Sequence, residues 1–338
     1  MMFREIKKKG FTIIELLTVM SIIIILISVL VPALNTVRRF AKVVTQHGQF
    51  SEISKGLELF RNDHRDTYPD SSTIDANSTL YCGAMKLCEA LLGQDGMGYH
   101  PSSNFNAYQP TTYLFNEFQC VEAPPTLYIG ALAPRLDLAA SLRERVKYVG
   151  SENIRATPLQ YMYGWTITTG VSFYNPGVSF KNTMYDYPNS VIGDVFLRAD
   201  VKGGSDSSTP PGCDRKSGQK VGMPVLYYKA DPARLGHDTL TIPNAANPNT
   251  NIYNFDDNYA ITALGCPWEP AGGRITEHPM SLTPVPPQQP GQLLFYREIT
   301  NPKATTTPKP HNEDTYILMS AGWDGLYGTS DDVFNFAD

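Results

Sequence analysis

The sequence predicts an α+β fold: a long N-terminal stalk helix, membrane-spanning in its first half, packed on an antiparallel β-sheet with long loop-rich insertions. Three observations predict it. Residues 11–31, FTIIELLTVMSIIIILISVLV, contain no Pro, no Gly and a single charge, Glu15. Apolar residues then recur at helical spacing, Leu34, Val37, Ala41 and Val44, followed by Ile53, Leu57 and Phe60, as one helix face requires. Past residue 62 the composition changes: of 26 Pro only Pro32 precedes residue 63, and Tyr-, Val- and Ile-rich runs alternate with Pro/Ser/Thr/Asn-rich stretches.

The apolar run of 21 residues makes roughly 31 Å of helix, close to the ~30 Å hydrocarbon thickness of a bilayer. Arg4, Lys7, Lys8 and Lys9 precede it, so the positive-inside bias predicts a single pass with a cytoplasmic N-terminus and an extracytoplasmic body. A secretory signal peptide would carry small residues at alternate positions after its apolar core, and Val31-Pro32-Ala33 is a poor match. A plain anchor has no use for Glu15, because an acidic residue in a spanning helix costs about 2.5–3.5 kcal/mol at the bilayer centre.

Lys9-Gly10-Phe11-Thr12-Ile13-Ile14-Glu15-Leu16-Leu17 resembles the leader junction of type IV pilins and type II secretion pseudopilins. The likeness combines a short basic leader, Gly before the cut, Phe after it, a carboxylate at the fifth mature position and an apolar run behind it. It implies the pilin-like fold, and it implies that a membrane-embedded aspartyl prepilin peptidase removes residues 1–10 after Gly10 and that the new amine of Phe11 is methylated. It also implies a bacterial inner-membrane location before assembly. The partners it implies are membrane lipid, an inner-membrane assembly platform, and copies of the chain or related subunits in a helical filament. Glu15 then acquires a role: its carboxylate neutralises the charged amine of a neighbouring subunit and sets the register of stacking.

Residues 32–62 are expected to continue the stalk as an amphipathic half. Pro32 removes a backbone donor, which predicts a kink or local unwinding, and Gly48 and Gly56 weaken this half further. The apolar stripe is read as docking on the body's own sheet in preference to a partner coiled coil.

The body, residues 63–338, opens with Tyr68-Pro69, which resembles the pair that follows the stalk helix in major pseudopilins. Helices are predicted at 83–92 and 137–149, and strands at 159–168, 191–197, 224–229, 292–299 and 315–320. Long loops are predicted at 203–222, 243–251 and 267–292. The segment Pro224-Val-Leu-Tyr-Tyr-Lys-Ala-Asp-Pro232 resembles the strand before the C-terminal loop of large members of that secretion class. Residues 95–215 share almost nothing with the family.

Candidate sites are few. The net charge of -5, with no basic run past residue 9, argues against a nucleic-acid partner. No nucleophile elbow, P-loop, HExxH or CxxC pair occurs and the six His are scattered, so no catalytic role is expected. His64 with Asp63 and Asp66 reads as a solvated helix end. Asp324, Asp331 and Asp332 lie in a Gly-rich segment, Ser320-Ala-Gly-Trp-Asp-Gly-Leu-Tyr-Gly-Thr-Ser-Asp-Asp-Val333, that offers hard oxygen ligands on a flexible backbone. Calcium suits such a loop, which resembles the calcium loop of type II secretion major pseudopilins; the alternative is an Asp-Gly turn with a solvated acidic tip. Cys82, Cys88, Cys120, Cys213 and Cys266 all fall in the exported body, where disulfides persist, although buried thiols remain the alternative for each. Tyr253 to Tyr259, rich in aromatic residues with Asn and Asp, reads as core packing with polar turns ahead of a sugar-binding surface. Together these features predict a structural pilin-like subunit of a type II secretion or related filament, processed by prepilin peptidase and assembled through its first helix. The alternative is a surface adhesin or carbohydrate-binding pilin with an enlarged body.

Overall fold

The computed structural model describes residues 12–72, 81–93, 98–99, 145–150, 154, 156–159, 162, 190–200, 220–241, 249–267, 277–282, 291–304 and 307–336, without the side chains of residues 158, 199 and 200. The fold is α+β, with a long apolar N-terminal helix and small antiparallel sheets. The chain divides into two units, residues 1–44 and 45–338.

Helix α1 spans Ile13–Asp63, one residue beyond the expected end near residue 62. In the first unit residues 13–41 of α1 are exposed, and α1 is long and apolar enough to cross a membrane. The hydroxyls within that apolar stretch bond to carbonyls one turn back: Thr18 Oγ1 to Ile14 O at 3.0 Å, Ser21 Oγ to Leu17 O at 2.7 Å and Ser28 Oγ to Ile25 O at 2.7 Å. The helix therefore presents few unmet polar groups, the condition that a hydrocarbon environment imposes. Helical structure continues through Pro32, so the local unwinding expected there does not occur. Of the predicted apolar stripe, Leu34, Val37 and Val44 are exposed in this unit.

In the second unit, the stripe of α1 is buried at Gln46, Phe50, Ile53, Leu57 and Phe60, alternating steps of four and three. The amide of Gln46 accepts from Val195 N at 3.0 Å, and Gln49 Nε2 donates to Gly193 O at 2.9 Å. The helix ends where Arg65 and Asp66 both adopt left-handed φ, of 53° and 60°, and Arg61 Nε grips Asp66 Oδ1 at 2.6 Å.

Helix α2, Gly83–Leu92, forms where its apolar spacing placed it and is buried on every side. Its one cation, Lys86, is only 1% exposed and reaches out to Asp70 Oδ2 at 2.7 Å and Ser72 O at 2.6 Å. Against α2 packs β5, Leu226–Lys229, the first strand of the antiparallel sheet β5-β6-β7, with β6 at Tyr316–Ser320 and β7 at Val333–Phe334. Leu226 pairs with Met319 and Lys229 with Tyr316; Ser320 pairs with Val333. Two ribbons complete the strands, β1 (Ala156–Pro158) with β2 (Ser190–Ile192) and β3 (Ala199–Asp200) with β4 (Lys220–Val221). The core holds Tyr227, Tyr228, Tyr253, Tyr296 and Tyr327, all fully buried. Tyr227 OH donates to Pro69 O at 2.8 Å, Tyr253 OH to Asn312 O and Tyr327 OH to Pro224 O, so these rings bury their bulk while their hydroxyls find backbone acceptors.

Several expectations are corrected here. Residues 292–299 are no strand: Gly291–Glu298 is helix α4, following a one-turn helix α3 at Tyr259–Thr262. Its buried Leu293 and Tyr296 stand three apart, a spacing that a run of eight residues leaves undecided between helix and strand. The second predicted helix fails at 145–149, where Val146 pairs with Tyr99 and Tyr148 N bonds Leu91 O at 3.0 Å; residues 137–144 lie outside the described residues. In the segment predicted as a strand from 159, Leu159 and Met162 are helical and the strand is β1 before them; residues 163–168 lie outside the described residues. The strand at 191–197 stops at Ile192, because Asp194 Oδ1 accepts from Phe196 N and Met223 N and turns the chain. Within the predicted loops, Lys220–Val221 is strand β4 and Pro279–Ser281 a 3-10 helix.

Candidate functional site

Gly10 and Phe11, the expected processing site, lie outside the described residues. Glu15 is described, in the first turn of α1. Its Oε2 accepts from Thr12 N at 2.8 Å and Thr12 Oγ1 at 2.9 Å, while Glu15 N donates to Thr12 Oγ1 at 3.2 Å. Thr12-Ile13-Ile14-Glu15 is thus a reciprocal capping box, each end satisfying a backbone donor that a helix start leaves open. The Ser/Thr-x-x-Glu spacing of this box is legible in the sequence itself.

The C-terminal loop runs from β6 to β7, so its two ends are fixed by neighbouring strands. Gly322, at φ 63°, is required because a Cβ there would come within 2.1 Å of Asp331 O. Asp331 joins the two sides of the loop: its Oδ2 accepts from Asp324 N at 2.9 Å and its Oδ1 from Thr329 Oγ1 at 2.6 Å. Asp324 Oδ1 accepts from Leu326 N at 2.7 Å. Asp332 Oδ2 accepts from Gly328 N at 2.7 Å and Thr329 N at 3.0 Å, and its Oδ1 is buried with no partner.

The electrostatics follow this geometry. Burial raises Asp324, and the neighbouring charge of Asp331 adds to it. Burial pushes Asp331 the same way, but the Thr329 hydroxyl and the N–H of Asp324 outweigh it and hold Asp331 below the usual carboxylate range. Asp332 is pushed well above that range by burial first and by the charge of Glu298 second. Asp324 and Asp331 therefore face each other, whereas Asp332 turns toward Gly328, Thr329 and Glu298. Among the described residues, no three His, Cys, Asp or Glu side chains form a cluster able to hold a metal. The donors suit calcium in kind, all oxygen, and the orphaned Asp332 Oδ1 offers one ligand without breaking a bond. Glu298 was not singled out from the sequence, since it sits in a segment that reads as a strand.

The remaining candidates resolve into structure. His64 stacks on Phe60 with ring centroids 4.0 Å apart, Asp63 accepts from Tyr148 OH at 3.0 Å and Asp66 binds Arg61, so the three polar groups go to separate partners. Cys82, Cys88 and Cys266 are buried and carry no disulfide; Cys120 and Cys213 lie outside the described residues. Tyr253 and Phe255 belong to the core, as expected, while Tyr259 is exposed. A cleft of about 310 Å³ beside them is lined by polar residues including Asp70, Lys229, Arg234, Asn254 and Asp257, and among the described residues no aromatic ring faces it. In comparisons with protein-family models, curated proteins and solved structures, the chain matches none.

Proposed function

We propose that the chain is a pilin-like structural subunit of a type II secretion or related type IV filament. It is held in the bacterial inner membrane with its N-terminus in the cytoplasm and drawn into a helical fibre through α1. The observation that carries this reading is the Lys9-Gly10-Phe11 junction placed directly before an apolar helix whose one charge in residues 11–31 is Glu15. Cleavage after Gly10 creates an amine at Phe11, and a lone carboxylate four residues on is positioned in sequence to neutralise such an amine on a neighbouring subunit. The exposed apolar surface of residues 13–44 supports the reading: it suits lipid before assembly and other helices afterwards. Calcium at the loop of Asp324, Asp331 and Asp332 would relieve the repulsion between the facing carboxylates of Asp324 and Asp331 and brace the loop between β6 and β7.

Intact-mass measurement of the membrane-extracted protein tests this. The mature chain is expected to begin at N-methyl-Phe11, and sheared surface fibres are expected to contain it. A chain beginning at Met1 in cells with a working prepilin peptidase, or cut after Ala33, rejects the proposal.

A further inference from the structure

We propose that the cleft beside the 3-10 turn Phe255–Asn258 binds a small zwitterion of the α-amino-acid class, its carboxylate on Lys229 and its ammonium on Asp257. The cleft holds about 310 Å³, the small end of the range of about 300–1,000 Å³ that small-molecule sites occupy. Three stretches of chain wall it: residues 70–72 beyond the end of α1, residues 229–234 at the end of β5, and residues 252–257. These walls are fastened to one another. Lys229 N donates to Ser71 Oγ at 2.9 Å, Ser71 Oγ donates to Asp257 Oδ2, and Asp231 N donates to Ile252 O at 2.9 Å. A site held in this way before a ligand arrives loses little further freedom on binding.

The charges of the lining decide what fits. Two of the three carboxylates are already neutralised: Asp231 Oδ2 by Arg234 Nε at 3.0 Å, and Asp70 Oδ2 by Lys86 Nζ of α2 at 2.7 Å. Lys229 and Asp257 are left. Among the described residues neither forms an ion pair, with the other or with any third group. Asp257 is only 5% exposed, and its oxygens accept from neutral donors alone, Ser71 Oγ and Asn254 Nδ2 at 3.2 Å, so each oxygen keeps a lone pair. Burial raises this carboxyl to about 7 against the pull of the Ser71 bond, the charge of Asp70 adding to the rise and that of Lys86 opposing it. Lys229 is half-buried and alternates with Tyr228, so it projects from the face of β5 opposite the core that takes Leu226 and Tyr228.

Two opposite charges that line one cleft, stand farther apart than an ion pair and have no other counter-charge are complementary to a ligand that carries both. A simple amine would leave Lys229 unanswered, and a simple carboxylate would leave Asp257 so. An α-amino acid answers both with charge-assisted hydrogen bonds, while Ala230, Pro232 and Ile252 offer apolar surface to a short side chain. Among the described residues, no aromatic ring lines the cleft as a sugar platform, and no three metal-binding side chains cluster in it.

The test uses the full chain in detergent micelles at pH 8, where Asp257 is ionised. A panel of the common free amino acids is screened by thermal shift and the hits are titrated by calorimetry, with propylamine and propionate as carriers of one charge each. At least one amino acid is expected to bind and raise Tm, and neither control is expected to do so at the same concentration. Lys229→Met and Asp257→Asn are each expected to weaken the hit at least tenfold. A panel without a hit overturns the proposal. So does propylamine or propionate binding as tightly as the amino acid, or an affinity unchanged in Lys229→Met. Should Asp257→Asn fail to fold, Lys229→Met and the two single-charge controls decide the matter without it.

Discussion

Gly56 of α1 sits directly against the side chain of Val149: a Cβ on the glycine would stand 2.4 Å from Val149 Cγ2, with Leu91 Cδ2 at 3.0 Å and Tyr148 O at 3.2 Å. Valine is stiff about χ1 and the carbonyl belongs to the backbone, so little can move aside. Gly56→Ala is expected to destabilise the protein by about 1–2 kcal/mol, the cost of overpacking less the gain in helix propensity. Gly48, with nothing within 4 Å, is the control. Gly48→Ala is expected to stabilise by up to about 1 kcal/mol. Thermal unfolding of both variants of the full chain checks the opposite signs, and equal shifts would refute the close contact.

Glu15 now has two readings that a single substitution cannot separate. As a helix cap it needs an acceptor at Oε2, which glutamine supplies; as the partner of a neighbouring amine it needs charge, which glutamine lacks. Glu15→Ala and Glu15→Gln are both expected to leave the chain exported and cleaved yet scarce in sheared filaments. If Glu15→Gln enters filaments at wild-type levels and only Glu15→Ala fails, capping is the role that matters.

His278 is fully buried, and burial lowers its pKa to about 4 from an ordinary 6.5. Between those values the unfolded chain takes up a proton that the folded chain refuses, so this histidine's contribution to stability is intact above pH 6.5 and is lost as pH falls toward 4. Asp257, raised by burial to about 7, acts in the opposite direction. The share of His278 therefore has to be read by difference. The stability gap between wild type and His278→Gln is expected to narrow by up to about 3 kcal/mol as pH drops from 6.5 to 4 in urea titrations. A gap that stays constant with pH would show that His278 titrates normally.

The thiols of Cys82 and Cys266 are pushed up to about 12, burial being the first cause in each. Together with the burial of Cys88, this predicts that none of the three is alkylated by iodoacetamide in the native chain and that all three are after denaturation. Non-reducing peptide mapping that finds a disulfide joining any two of them would contradict the structure.

How far the sequence could be read depended on how local each signal is. Residues 13–63 and 83–92 are helices whose apolar spacing repeats over several turns, and their bounds emerge within a residue or two. Leu226–Lys229 and Tyr316–Ser320 were legible as continuous apolar runs, though that they pair with each other was not. The run at 292–299 was too short for its period to decide. The strand at 191–197 is ended by its own Asp194, whose carboxylate accepts from Phe196 N nearby and from Met223 N in a distant segment, and no local pattern announces the second donor. The candidate loop shows the same division. Asp324, Asp331 and Asp332 stand within one glycine-rich stretch and could be named together, while Glu298 reaches their neighbourhood only through the packing of α4.

The place of β6 in the middle of its sheet has a consequence for how the chain is made. Its partner β5 is about ninety residues upstream, so the strand that completes the core emerges late, and this high contact order predicts slow closure of the body. Until Tyr316–Ser320 has been made, the ladder edge of Leu226–Lys229 lacks its partner strand. A chain caught at that stage carries an open apolar core, the form in which aggregation and proteolysis compete with folding.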